Sequence, residues 1–80
     1  MRGRKVKERT GAGARLYALR MHLHLTGAQA AERWGISAEC INRYELGREL
    51  IKSDRAVRIA QLEGISLDWL YGLSDKGAPV

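Results

Sequence analysis

The chain reads as an all-α domain of five short helices, and three features lead to that reading. Apolar residues recur at helical spacing in five stretches. Between the stretches fall helix-ending glycines (Gly35, Gly47, Gly64) and helix-starting serines (Ser37, Ser53, Ser66). β-branched residues come only in short runs, too scattered for a sheet. Eighty residues make one small domain. A chain of that length buries about 60 to 65% of its unfolded surface, so there is little room for a large active-site cavity.

Residues 1–13 precede the helices and read as a flexible basic arm. Within the first fifteen residues Arg2, Arg4, Lys5, Lys7, Arg9 and Arg15 stand against Glu8, which accounts for the whole net charge of +5; the rest of the chain balances eight against eight. With Gly3, Gly11 and Gly13 and little to bury, this segment has no reason to join a core. Such an arm either meets phosphates, with Arg2, Arg4, Lys5 and Lys7 as the contacts, or is a solubilising tail.

The folded domain is placed at residues 14–74. The first helix is expected over about Ala12 to His24, with Leu16, Leu19 and Leu23 as its apolar stripe. Arg20 lies at the edge of that stripe, where a guanidinium needs a carboxylate partner. The second helix, about Gly27 to Trp34, turns Ala30, Ala31 and Trp34 inward and Ala28, Gln29, Glu32 and Arg33 outward. Gly35 ends it, and Ser37 caps a third helix from about Ala38 to Leu46. There Cys40, Ile41 and Tyr44 fall inward, while Ala38, Glu39, Asn42, Arg43 and Leu46 make a mostly polar outer face.

A loop from Arg48 to Lys52 leads to the fourth helix, with Ser53 as N-cap and Asp54 favourable at its positive end. Its inward side is Ala56, Val57, Ile59 and Ala60. Ser66 caps a short last helix in which Trp69, Leu70 and Leu73 close the core. The end, residues 75–80, is expected to be disordered.

Several function classes fall away. A single Cys40 leaves no internal disulfide and fits a reducing cytosol; its inward position makes it a packing residue. His22 and His24 point about 200° apart on a helix, so they do not make a metal site, and no cofactor is implied. No nucleophile motif or phosphate-cradling glycine loop marks an enzyme. No run approaches the roughly 20 apolar residues of a membrane span, so a cytoplasmic protein is expected.

The stretch from Leu25 to Gly47 carries a more specific signal. Ala31 is small where two helices nearly touch, Gly35 sits in the turn, Ile41 is buried on the second helix, and Ala30, Trp34, Ile36 and Tyr44 surround them. Outside it stand Leu19-Arg20, Tyr44-Glu45-Leu46-Gly47, Arg58-Ile59-Ala60, and GISLDWL from Gly64 to Leu70. In order and spacing this series resembles the helix-turn-helix of the phage-repressor-like family, the lambda repressor and Cro type with its xenobiotic-response-element relatives. The resemblance covers about Leu16 to Leu73.

The resemblance implies a compact five-helix DNA-binding domain whose third helix enters the major groove of double-stranded DNA. Carried over by position, Ala38, Glu39, Asn42 and Arg43 read base edges; the bland alternative is a solvated helix face. Arg20 and Glu45 form a structural ion pair. Where the family has a phosphate-holding glutamine this chain has Gly27, so that contact passes to Thr26 and Gln29. Leu46 replaces a polar residue near the backbone, which leaves Arg48, Lys52 and the arm to clamp phosphates. Before Gly64, Leu62 and Glu63 invert the family's small-then-leucine order, which tilts the helix end or exposes Leu62.

The implied role is a sequence-specific transcriptional regulator, as a repressor, working as a homodimer on a two-fold symmetric operator through the surface near Leu62, Tyr71 and Leu73. No small-molecule ligand is implied. A different reading of the same fold is a protein-binding adaptor or antitoxin-type regulator, which the near-neutral charge beyond the arm and Glu39 keep open.

Overall fold

The computed structural model describes residues 11–80, and within them the chain forms α1 (Gly11–His22), α2 (Gly27–Trp34), α3 (Ala38–Glu45), α4 (Ser53–Glu63) and α5 (Leu67–Leu70). α1 packs on α3 and α5, α2 on α3, and α4 on α5. Every helix contributes to one core: Leu16 and Leu19, Ala30 and Trp34, Cys40, Ile41 and Tyr44, Ala56, Ile59 and Ala60, and Trp69 and Leu70. Ile36, Ile51 and Ile65 fill it from the connections. No helix among the described residues is long and apolar enough to cross a membrane.

α1 begins earlier and ends earlier than its pattern predicts. Gly11 is its first residue, one before the expected start, and Gly13, whose composition also fits the arm, is buried in its first turn. At the other end His24 takes a left-handed conformation (φ 57°), and Leu25 N–H reaches back to Arg20 O at 3.1 Å. The helix therefore closes at His22, and Leu23, expected in the stripe, is half-buried.

Gly13 is where α1 meets the end of α3. A Cβ there would stand 2.7 Å from Tyr44 O and 2.8 Å from Glu45 O, both backbone atoms that cannot swing aside. Alanine is the better helix former by up to about 1 kcal/mol. Even so, Gly13→Ala is expected to destabilise the fold by about 1 to 3 kcal/mol through overpacking. Urea unfolding measures this, and an unchanged midpoint would mean that the two helices separate without loss.

α4 departs from its pattern at both ends. Ser53 is its first residue rather than its cap; that position is held by Lys52, whose side chain makes no capping bond. The preceding Ile51 is 2% exposed and its carbonyl accepts Tyr71 OH at 2.9 Å, which anchors the chain just ahead of the helix. Val57, expected inward, is 39% exposed. The inward row is Ala56, Ile59, Ala60 and then Glu63, whose side chain is only 4% exposed, while Leu62 points out.

The last helix is shorter than its apolar pattern. It stops at Leu70, and the chain turns through Tyr71 and Gly72, with Leu73 N–H on Asp68 O at 2.8 Å. Leu73, placed in the core by its sequence, is 76% exposed as a result. Residues 75–80, expected to be disordered, are tied back. Arg15 bonds Asp75 Oδ1 at 2.8 Å and stacks over the Trp69 ring, and Ser66 N–H donates to Gly77 O at 3.0 Å.

Candidate nucleic-acid interface

The α2–turn–α3 unit is held by local bonds at each helix end. Thr26 and Gln29 form a reciprocal capping box: Thr26 Oγ1 accepts Gln29 N–H at 3.1 Å, and Gln29 Oε1 accepts Thr26 N–H at 2.9 Å. Gly35 takes the left-handed conformation (φ 69°) that reverses the chain, with its N–H on Ala31 O at 2.9 Å. Ser37 Oγ then accepts Cys40 N–H at 3.1 Å and starts α3. Two helices are thus set at a defined turn by bonds within about fifteen residues.

α3 divides cleanly. Cys40, Ile41, Tyr44 and Glu45 are buried, and Ala38, Glu39, Asn42 and Arg43 are exposed together on the opposite side. Three contacts fix the buried side against the rest of the domain. Arg20 grips Glu45 with two bonds, Nε to Oε2 at 2.7 Å and Nη2 to Oε1 at 2.9 Å, and spends Nη1 on Leu25 O. Arg55 of α4 donates Nη1 to Tyr44 OH at 2.8 Å and to Cys40 Sγ at 3.1 Å. The third is the close approach at Gly13. A helix of only eight residues gains little from its own backbone, so its orientation depends on these anchors.

Thr26 and Gln29 spend a hydroxyl and an amide oxygen on each other, which leaves the Gln29 amide N–H groups, among other donors, for a phosphate. Arg48 and Lys52 are exposed at either side of the α3–α4 loop, and neither side chain has a hydrogen-bond or ion-pair partner among the described residues. Arg43 is bonded through Nε to Glu49 Oε1 at 3.1 Å. Arg2, Arg4, Lys5 and Lys7 lie outside the described residues.

Four residues that shape this site escaped the sequence reading. Gly13 looked like linker composition. Arg55 and Glu49 depend on where a loop carries the chain, which no local signal reports. Glu63 was legible in principle, because 56, 59, 60 and 63 fall on one helical stripe. Its carboxylate accepts Trp34 Nε1–H at 2.8 Å and two bonds from Arg33, joining the end of α4 to the end of α2. The Arg33 guanidinium, aided by the Trp34 indole and opposed by burial, holds the Glu63 carboxyl below its ordinary pKa.

A family model described as a helix-turn-helix domain matches residues 13–76 of this chain. No curated protein matches it. No solved structure does either.

Proposed function

The chain belongs to the helix-turn-helix domain family, a family of DNA-binding domains rather than of enzymes, and on that footing we propose that it reads specific sequences in double-stranded DNA through α3. One observation carries this reading: α3 exposes Ala38, Glu39, Asn42 and Arg43 on one side while its other side is locked down by Arg20, Arg55 and the approach of Gly13. Those four side chains have matching base partners in the major groove. Arg43 suits guanine O6 and N7, Asn42 adenine N6 and N7, Glu39 the cytosine amino group, and Ala38 a thymine methyl. Arg48, Lys52, Thr26 and Gln29 then serve as phosphate contacts, with the arm residues Arg2, Arg4, Lys5 and Lys7 adding sequence-independent attraction.

The order of five helices and the Arg20–Glu45 pair support the phage-repressor and Cro type within that family. The regulatory role that follows is repression by covering a promoter, in the cytoplasm. A unit this small reads few base pairs, so we place it as a homodimer on a two-fold symmetric operator. Leu62 and Leu73, 48% and 76% exposed, are the apolar side chains for that pairing.

The test is selection from a random pool of DNA duplexes near physiological salt. Wild type is expected to recover a two-fold symmetric motif. Arg43→Ala is expected to lose about 5- to 150-fold of discrimination at one base position and to leave the others intact. A uniform loss would reassign Arg43 to a phosphate, and recovery of no motif would turn the search to a protein partner. Deleting residues 2–9 is expected to weaken binding to every duplex and to flatten its salt dependence. An unchanged salt slope would remove the arm from the interface.

A further inference from the structure

Glu49 has no place in the helix-turn-helix pattern, yet it makes the one ion pair on the exposed side of α3 among the described residues. Its Oε1 takes Nε of Arg43 at 3.1 Å. Nε lies on the side edge of a guanidinium, and its bond to a carboxylate restrains rotation of the planar group. Nη1 and Nη2 meet no acceptor among the described residues. Those two nitrogens are the pair that spans guanine O6 and N7.

Arg43 had another carboxylate within reach. Glu39 is four residues earlier on α3, the spacing at which Glu and Arg commonly pair along a helix. A bond there would lay the arginine back along its own helix towards the N-terminus. The bond goes instead to the loop, and the side chain is held at its far end from outside the helix. Both partners of the pair are well exposed, 48% and 40%, so it contributes little to folding.

We propose that Glu49 is a specificity-determining positioning residue, which holds the Arg43 guanidinium so that its two terminal nitrogens select a guanine in the major groove. This rests on the reading of α3 as the base-reading helix. The placement has a signature that separates it from a structural ion pair. A carboxylate close to DNA repels phosphates, so Glu49 lowers affinity for every sequence while raising the preference for one base pair.

The experiment compares wild type, Glu49→Ala, Glu49→Gln and Arg43→Ala. The probe is the duplex recovered from the random pool, together with variants carrying each other base pair at every position. Glu49→Ala is expected to lose up to about fivefold of the preference at one G·C position, the same position that Arg43→Ala erases. Its binding to mismatched duplexes is expected to tighten. Glu49→Gln, whose amide oxygen still accepts from Nε, is expected to keep more of the preference than Glu49→Ala. Full preference in Glu49→Ala at the position erased by Arg43→Ala overturns the proposal and leaves α3 as the reading helix. Base preferences unchanged in Arg43→Ala overturn the reading by Arg43 itself, and the role of Glu49 with it.

Discussion

Arg20→Ala is expected to lower the free energy of unfolding by about 3 to 5 kcal/mol. That is a large share of the roughly 4 to 12 kcal/mol that 80 residues typically hold. The cost comes from what is left behind. The Glu45 side chain is 4% exposed, and among the described residues its only bonds are the two from Arg20. Without the guanidinium, a carboxylate stays in the interior with neither water nor a counter-charge. Leu25 O loses its bond from Arg20 as well.

Variants of the same pair separate charge from geometry. Arg20→Lys keeps the charge but gives up the planar two-pronged grip, and is expected to fall between wild type and alanine. Replacing both residues by leucine removes the stranded charge and is expected to cost much less than Arg20→Ala alone. Urea unfolding of the three variants checks the order. A loss below about 1 kcal/mol for Arg20→Ala would place the pair among surface ion pairs and deprive α3 of its proposed anchor.

Glu63→Ala is expected to cost about 2 to 3 kcal/mol, by a different route. Here the stranded group is a donor. Trp34 is fully buried, and its indole N–H has Glu63 Oε2 as its acceptor at 2.8 Å. Glu63→Gln keeps an acceptor for the indole and is expected to cost less.

The same carboxylate gives a pH dependence with a definite sign. Arg33 foremost, and Trp34 after it, hold the folded-state pKa of Glu63 below the ordinary 4.5. Protonation is therefore harder in the folded chain than in the unfolded one. The stabilisation is fully present above the unfolded value and is lost as pH falls through the lowered folded value. The stability gap between wild type and Glu63→Gln is thus expected to be widest near neutral pH and to narrow below about pH 4.5. A gap that holds constant from pH 6 to pH 3 would show that Glu63 does not titrate with folding.

The pieces that were readable in the chain share a physical basis. Gly35, Ser37, Gly64 and Ser66 act within one or two turns of where they stand, through the left-handed turn and the side-chain cap, and the structure places them as their types require. Cys40, Ile41 and Tyr44 are buried where 3.6-residue spacing puts them. The Thr26–Gln29 capping box is equally local, since its two side chains bond each other's backbone three residues apart. Ser53 shows the limit of local signals. A serine is a good cap, yet with Ile51 anchored the helix starts one residue earlier than that reading allows, and Lys52 takes the cap position.

The misplaced residues are those whose environment is set by distant chain. Leu73 has the spacing of a core residue, but α5 ends first and the turn at Gly72 carries it into solvent. The 75–80 segment has a disordered composition, but Arg15 and Ser66 lie where they can hold it.

Composition, caps and periodicity were enough to establish an all-α chain, two short helices joined by a tight turn, and the exposed side of α3 from Ala38 to Arg43, because each rests on interactions spanning only a few residues. Which charges meet was settled by packing. Arg43 with Glu49, Arg55 with Tyr44, and Trp34 and Arg33 with Glu63 all join separate elements. An ion pair forms only where the folded chain brings its two groups within about 4 Å, and residue type alone does not carry that distance.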